Sequence, residues 1–428
     1  MIDINLIRTN PGLVKSNMKR KFRDKQTYLV DEVKELDIKY RDLKQLADTK
    51  RNTKNTISKS IGVLMREGNS VLAEEKKKQV NQINEELIAI ENEEKKTAAL
   101  IKERMMQIPN IMEDKVPEGL DDSANVEIAK YGKAIKPDYE IPYHVDILES
   151  LSGVDLESSR RVAGHGFYYL EGDVARLHSA ILTYARDFMI DQGFKYVIPP
   201  YMIRSDIVTG VMSFAEMDDM MYKIEGEDLY LIGTSEHSMI GKFKDQILNK
   251  ENLPYKMTSY SPCFRKEKGA HGIEERGIYR VHQFEKQEMI ILCEPSESKE
   301  WFEKLYETTI EFFKTLELPI RSLEICSGDL TDLKSRSIDI EAWSPRQQKY
   351  FEVGSCSNLT DAQSRRLNIR VKGTPNYYPH TLNNTLVAPP RMLIAFLENH
   401  YQKCGNIKIP KALRPYMGGK THIKNQKK

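Results

Sequence analysis

The spacing of apolar positions divides the chain into two stretches with different periods. Val33, Leu36, Tyr40, Leu43, Ala47, Lys50, Lys54, Ile57, Ile61 and Leu64 follow one another at spacings that alternate between three and four. That is a coiled-coil seam held over about five heptads. Gly68-Asn69 can then reverse the chain. The seam resumes at Val80, Ile83, Leu87, Ile90, Glu94, Thr97 and Ile101 and ends before Pro109. Two matched seams and a short turn predict an antiparallel two-helix coiled coil over residues 30–105. At about 1.5 Å per residue, arms of roughly 35 residues would project about 50 Å. Residues 1–28 predict a short helical cap, with Pro11 early in a helix.

Past Pro109 the seam gives way to mixed helical and strand periods. Residues 105–165, with Pro109, Pro117, Pro137 and Pro142, predict a linker followed by short strands and loops. Val174, Leu177, Ile181, Leu182, Ala185, Phe188 and Met189 form the stripe of an amphipathic helix that Gly193 closes. The next strand carries Pro199-Pro200, which confine it to an edge or an interface. Met212, Met217, Met220 and Met221 read as adaptable packing. A strand over 229–232 leads to Thr234-Ser235-Glu236, which can cap the following helix or hold an ammonium group.

The stretch from Phe264 to Met289 predicts two strands around a loop containing Gly269, Gly272 and Gly277. The first strand ends at Arg265 and Glu267. On the return strand Arg280, His282, Phe284, Lys286 and Glu288 recur every second residue, which puts them on one face of a sheet. Cations, a ring and a carboxylate make a poor core surface and a good nucleotide floor. His282 reads as a packing residue. His271, Lys268, Glu274, Glu275 and Arg276 read as a mobile flap. Further on, KYFEVGSCSN is a strand delivering Glu352, Ser355 and Asn358, and HTLNNTLVAPPRMLIAFLENHY is a polar strand entering a helix with Arg391 at its start.

Composition narrows the setting. The 428 residues suffice for two domains, and the net charge of +2 says nothing about partners. Residues 49–66 are different locally: Lys50, Arg51, Lys54, Lys59 and Arg66 occur with no acid, and Lys76, Lys77 and Lys78 follow on the partner arm. A basic distal half suits a phosphate backbone followed by shape. No apolar run reaches the roughly 18 residues of a membrane helix. The start of the chain lacks a secretory pattern. Five scattered cysteines without a CxxC pair predict no disulfide framework, no structural zinc and a cytoplasmic setting. The absence of GxxxxGK[ST] and GxGxxG disfavours P-loop and Rossmann nucleotide binding.

These motifs together resemble the seryl-tRNA synthetases, a family of class II aminoacyl-tRNA synthetases. The likeness runs from the opening MIDINLIRTNPGLV and the helical hairpin to the closing IPKALRPYMGG. Motif 1 resembles the helix with Gly193 and the Pro199-Pro200 strand. Motif 2 resembles FRKEKGAHGIEERGIYRVHQFEKQE, and motif 3 resembles LNNTLVAPPRMLIAFLEN. Many bacterial members have LNGSGLAVGR where this chain has LNNTLVAPPR, which points to an archaeal-like branch.

The resemblance implies an α+β architecture: a tRNA-binding arm over 1–110 and a catalytic domain over 111–428 with an antiparallel sheet flanked by helices. It implies a serine–tRNA ligase that activates L-serine with ATP and Mg²⁺ and charges tRNA(Ser), leaving open tRNA(Sec). The nucleotide would meet Arg265, Lys266, Glu267, Val281, Phe284, Glu352, Val353, Gly354, Ser355 and Arg391, with Glu352 and Ser355 on the metal. Serine would meet Thr234, Ser235, Glu236, Glu288, Asn383 and Thr385. Arg265, Glu288 and Arg391 would be the catalytic set. Lys50, Arg51, Lys54 and Lys59 would reach the long variable arm of the tRNA. The family implies a homodimer through motif 1, and Lys424–Lys428 predict a disordered basic tail. A carrier-protein-loading paralogue would lack the arm, and a degenerate RNA-binding relative would lack the intact arginines and glutamates.

Overall fold

The structure is a computed structural model that describes residues 1–267 and 277–426. The expected flap residues Lys268, Gly269, His271, Gly272, Glu274, Glu275 and Arg276 lie outside the described residues, as do Lys427 and Lys428. Two compact units are present: Ile2–Pro109 is one, and Asn110–Lys428 with Met1 is the other.

In the first unit α1 (Ile4–Thr9) and α2 (Pro11–Arg20) precede the long helices α3 (Tyr28–Arg66) and α4 (Ser70–Met105). Pro11 occupies the first turn of α2, where its missing N–H costs nothing. The positions of the seam are the buried or half-buried ones along α3, and on α4 the seam starts a turn or two earlier than expected, at Ala73. Gly68 takes a φ of +74° at the reversal, and the Asn69 side chain accepts from the Leu72 N–H at 3.3 Å to cap α4. The seam is thin, and ion pairs supplement it. Lys39–Glu93, Lys50–Glu86, Arg51–Glu91 and Arg104–Glu32 link the helices at 2.5, 2.5, 2.8 and 2.8 Å. Lys50 is half-buried at its seam position, and its ammonium reaches Glu86.

The second unit is built on an eight-stranded sheet: β1 (Val126–Tyr131), β2 (Lys195–Tyr196), β3 (Tyr255–Phe264), β4 (Gln283–Cys293), β5 (Ile320–Glu324), β6 (Arg336–Ser344), β7 (Lys349–Thr360) and β8 (His380–Val387). The spatial order is β1-β5-β6-β7-β8-β4-β3-β2, antiparallel except for β2 against β3. The proline-bearing segment therefore leaves the sheet at its edge. Residues 105–165 hold two helices besides the expected strand, α5 (His144–Ser150) and α6 (Leu156–Ala163). Both are too short to show a helical period, and α6 is nucleated by its Asp155 cap, which accepts from the Ser158 N–H at 2.8 Å.

One face of the sheet packs against α7 (Gly172–Asp191) and, farther along the chain, against Ser298–Thr315 and Pro389–His400. Before those two come the short helices α8 (Ser205–Val211), α9 (Phe214–Met220) and α10 (Ser235–Gly241), so the longer pair are α11 and, after α12 (Ala362–Arg366), α13. Met289, Ile291, Ile338, Ile340, Cys356 and Leu386 meet these long helices in the core. The methionines form a small cluster with Ile203, Val208 and Ile232, as expected of packing residues. The C-terminal segment is tied down: the Asn425 N–H donates to Asn406 Oδ1 at 3.0 Å and the Gln426 N–H to the Ser150 carbonyl at 2.8 Å. The expected disordered tail therefore does not include Lys424–Gln426.

Candidate active site

The other face of the sheet is polar over β3, β4, β6, β7 and β8 and borders two adjoining cavities. The smaller, about 140 Å³, is lined by Arg265, Glu267, Tyr279, Arg280, Val281, Phe284, Val353, Gly354 and Arg391, among others. The larger, about 350 Å³, is lined by Thr234, Glu236, His237, Glu288, Asp339, Ser355, Asn383 and further residues. Arg265, Lys286, Glu352 and Thr385 border both.

In the smaller cavity each of two guanidinium groups lies over an aromatic ring. The Arg265 guanidinium lies 5.3 Å from the Phe284 ring centroid, and its Nε–H donates to the Gly233 carbonyl at 3.1 Å. Arg391 lies 5.1 Å from the Tyr279 ring and donates to Glu352 Oε2 at 2.8 Å. That carboxylate is the anionic partner that lets an arginine sit at the start of a buried helix. Arg280 Nη1 is 3.7 Å from Glu267 Oε2.

Only part of the expected two-residue face is strand. β4 begins at Gln283, so Phe284, Lys286 and Glu288 share the cavity face while Arg280 and His282 precede the strand. His282 packs 5.4 Å from the Phe167 ring, and its Nδ1 lies 3.0 Å from both the Tyr222 hydroxyl and the Arg265 carbonyl.

β7 holds a bulge: Ile340 faces Gly354, but the next residue on β6, Glu341, faces Glu352. The extra residue explains how Glu352 and Ser355, three apart, both border the larger cavity. It also removes Asn358 from the site. After the bulge Ser355 and Ser357 face the cavity, and Asn358 turns to bond Ser298 Oγ at 3.4 Å. Gly354 is held close to β8, where a Cβ would meet the Thr385 carbonyl oxygen at 3.2 Å.

The larger cavity combines hydroxyls, carboxylates and one ammonium. Glu288 is almost fully buried, forms an ion pair with Lys286, and accepts from Thr385 Oγ1 at 3.0 Å. Thr234 caps α10, accepting from the Glu236 N–H at 3.4 Å, so it serves the helix and borders the cavity at once. Burial raises the Glu236 pKa, and the Glu288 charge raises it further. Burial, then Arg265 and Lys286, push His237 down to about 3, so it is neutral.

Two expected residues stand outside. Ser235 is wholly enclosed in the first turn of α10 and borders neither cavity. Lys266 follows the end of β3, and its ammonium donates to the Asp218 carbonyl at 3.3 Å instead of joining the floor. Others went unnoticed. Asp339 lies opposite Ser355 and is raised to about 7 by burial and then by the Glu352 charge. Lys334 donates to Ser355 Oγ at 3.4 Å. The signal for Asp339 was available: Ser337, Asp339 and Glu341 alternate with Ile338, Ile340 and Ala342, a half-buried strand with one polar face.

Among the described residues no group of three His, Cys, Asp or Glu converges as a metal site, and no helix is long and apolar enough to cross a membrane.

Comparison with known proteins agrees along the whole chain. Residues 1–112 match the family model described as seryl-tRNA synthetase N-terminal domain, and residues 221–400 match the tRNA synthetase class II core domain (G, H, P, S and T). A serine–tRNA ligase of Thermococcus sibiricus is 41% identical over 98% of this chain and 97% of its own length, and that of Pyrococcus horikoshii is 40% identical over 100% and 99%. The crystal structure of the Pyrococcus horikoshii seryl-tRNA synthetase complexed with ATP superposes with a TM-score of 0.92 at 38% identity, covering 99% of this chain and 100% of that one. The cytoplasmic serine–tRNA ligase of Naegleria fowleri, in complex with AMP, gives 0.88 at 31% identity, covering 100% and 99%. With relatives of this identity along nearly its full length, the chain belongs to the seryl-tRNA synthetase family of class II aminoacyl-tRNA synthetases.

Proposed function

We propose that this protein is a serine–tRNA ligase, which forms seryl-adenylate from L-serine and ATP and then transfers the seryl group to the 3′ end of tRNA(Ser). One observation carries this reading: a cavity walled by stacked guanidinium and aromatic groups adjoins a carboxylate-lined polar pocket, and Arg265, Lys286, Glu352 and Thr385 border both. A nucleotide and a small zwitterion bound there would meet at the boundary.

In the first step a serine carboxylate oxygen attacks the α-phosphorus. The new O–P bond forms as the bond to the bridging oxygen breaks, and pyrophosphate leaves with that electron pair. The protein needs no nucleophile of its own, so its contribution is alignment and stabilisation of spreading negative charge. Arg265 is suited to the α-phosphate. Phe284 and Arg391 are suited to opposite faces of the adenine, with Val281 at its edge and Glu267 and Val353–Gly354 along the nucleotide. For this to happen Arg265 moves off Phe284 and Arg391 releases Glu352.

The residues around Glu352 fit a divalent cation. Glu352, Ser355 and Asp339 offer hard oxygens on one cavity. Two carboxylates and a hydroxyl suit an ion such as Mg²⁺, which keeps several water and phosphate ligands. Glu352 and Ser355 would hold the ion, which would neutralise phosphate charge.

Glu236 and Thr234 are suited to the serine ammonium, and Glu288, Thr385 and Asn383 to the rest of the pocket. Groups that hydrogen-bond the substrate hydroxyl would be stranded by alanine, which favours serine. In the second step a terminal ribose hydroxyl of the tRNA attacks the acyl carbon and AMP departs. Lys59, exposed on the distal part of α3, and the half-buried Lys54 one turn before it are suited to tRNA phosphates. A homodimer through the edge near Pro199-Pro200 is supported by the exposed side chains of Ile198 and Met202 there. A cytoplasmic location belongs to the same reading of the family.

The test is amino-acid-dependent ATP–pyrophosphate exchange with each of the twenty amino acids. Serine should give the strongest response, and silence with serine, or a stronger response to another amino acid, sinks the reading.

A further inference from the structure

Gln363, on α12, touches the serine pocket without bordering it. It is fully buried. Its Oε1 accepts from Thr381 Oγ1 at 2.7 Å, and its Nε2 donates to Glu236 Oε1 at 2.7 Å and to the Val211 carbonyl at 3.3 Å. Both amide hydrogens and the amide oxygen are therefore engaged. The reversed amide is excluded by chemistry, since it would set an oxygen against the Glu236 carboxylate and the Val211 carbonyl with no hydrogen between them. Thr381 lies on β8, Val211 on α8 and Glu236 on α10, so one side chain ties three elements to a single carboxylate oxygen.

We propose that Gln363 is a positioning residue: it aims the Glu236 carboxylate at the ammonium group of the amino acid and so sets serine affinity without touching serine. The inference rests on the serine–tRNA ligase reading above.

The charge balance at Glu236 explains why an amide is needed. Burial and the Glu288 charge both favour the protonated acid, which could not pair with an ammonium. Gln363, Lys286 and Asn383 act the other way. Arg265 and Glu216 border the same cavity. Lys286 is committed to Glu288. Of the groups favouring the carboxylate, Gln363 is the one that is neutral, wholly enclosed and fixed by a partner of its own. A glutamate there would add a third acid, and a leucine would leave both Glu236 Oε1 and the Val211 carbonyl without this donor.

The test uses the full chain. Gln363→Met keeps length and bulk but cannot donate. Serine and ATP KM are read from pyrophosphate exchange, kcat/KM for serine is followed against pH, and thermal melting reports folding. Loss of a hydrogen bond to a charged group predicts a serine KM raised roughly ten- to hundredfold. The ATP KM should be unchanged. The acid limb of the serine kcat/KM profile should move to higher pH, because the carboxylate loses a donor that favours its charged form. Thr381→Val, which frees the amide to rotate, should give a smaller change in the same direction.

A folded Gln363→Met enzyme with parental serine KM and acid limb overturns the proposal, as does a parallel rise in serine and ATP KM. If Gln363→Met does not fold, Thr381→Val decides, and a parental serine KM there overturns it. A parent enzyme that shows no serine-dependent exchange defeats the ligase reading instead, which separates the two failures.

Discussion

His400 ends α13 with its Nε2–H donating to the Leu316 carbonyl at 2.9 Å, and burial pulls its pKa down to about 4. The unfolded chain therefore takes up this proton first as pH falls below 6.5. Stability that is complete at neutral pH is lost toward pH 4, by about 1.4 kcal/mol per pH unit for such a group. Urea unfolding followed by tryptophan fluorescence should show a falling midpoint between pH 7 and pH 5. Both tryptophans, Trp301 and Trp343, lie in the unit that holds His400. His400→Gln can still donate to Leu316 and does not titrate, so it should flatten the slope. His237, pushed down to about 3, should leave a remainder. At this scale the two-residue period placed Phe284, Lys286 and Glu288 on one face but not Arg280 and His282, which precede the strand. Lys266 and Ser235 came from the resemblance and not from a period, and neither borders a cavity. Lys266 follows the last strand residue, and Ser235 sits in the first turn of a helix that faces its own core.

At the scale of elements the coiled coil was legible because a seam needs only spacing. Its cross-links were not, because Lys50 and Arg51 read as free basic residues until Glu86 and Glu91 are brought opposite them. This divides the basic half by role. Lys54 and Lys59 should carry most of any phosphate contact, while Lys50 and Arg51 hold the helices together. Lys54→Glu combined with Lys59→Glu should raise the tRNA KM and flatten its salt dependence by about one to two in log–log slope, since each lost phosphate contact removes about one. Serine-dependent pyrophosphate exchange should be unaffected. Equal effects from Lys50→Ala and from this pair would refute the division. The sheet order was not legible: the strands of motif 2 are consecutive, but β8 reaches β4 across more than eighty residues of chain.

At the scale of the molecule, patterning anticipates a helical stretch followed by one of mixed helical and strand periods, and the contacts divide the chain at Pro109. Composition contributed little, since a net charge of +2 averages a basic distal arm against mixed surfaces elsewhere. If the units are also separable in function, replacing residues 30–105 by a short linker should leave serine activation largely intact and remove tRNA charging. Pyrophosphate exchange and aminoacylation measured on the same preparation check both halves, and charging that survives would show that the arm is not needed for tRNA.

The bulge in β7 imposes a parity rule on this family member's catalytic strand. Side chains alternate between core and cavity, so an odd number of steps from Glu352 to Ser355 works only because one residue is not counted by the neighbouring strand. Deleting Val353 would leave the composition of the site almost untouched. It would also remove the uncounted residue, so that an uninterrupted alternation keeps Ser355 and Ser357 on the face of Glu352, whereas regular pairing with Val353 retained would send both serines into the hydrocarbon and Cys356 toward the cavity. The spacing between these residues is thus as much a determinant of the chemistry as their identity, in the way that a reading frame is for a message.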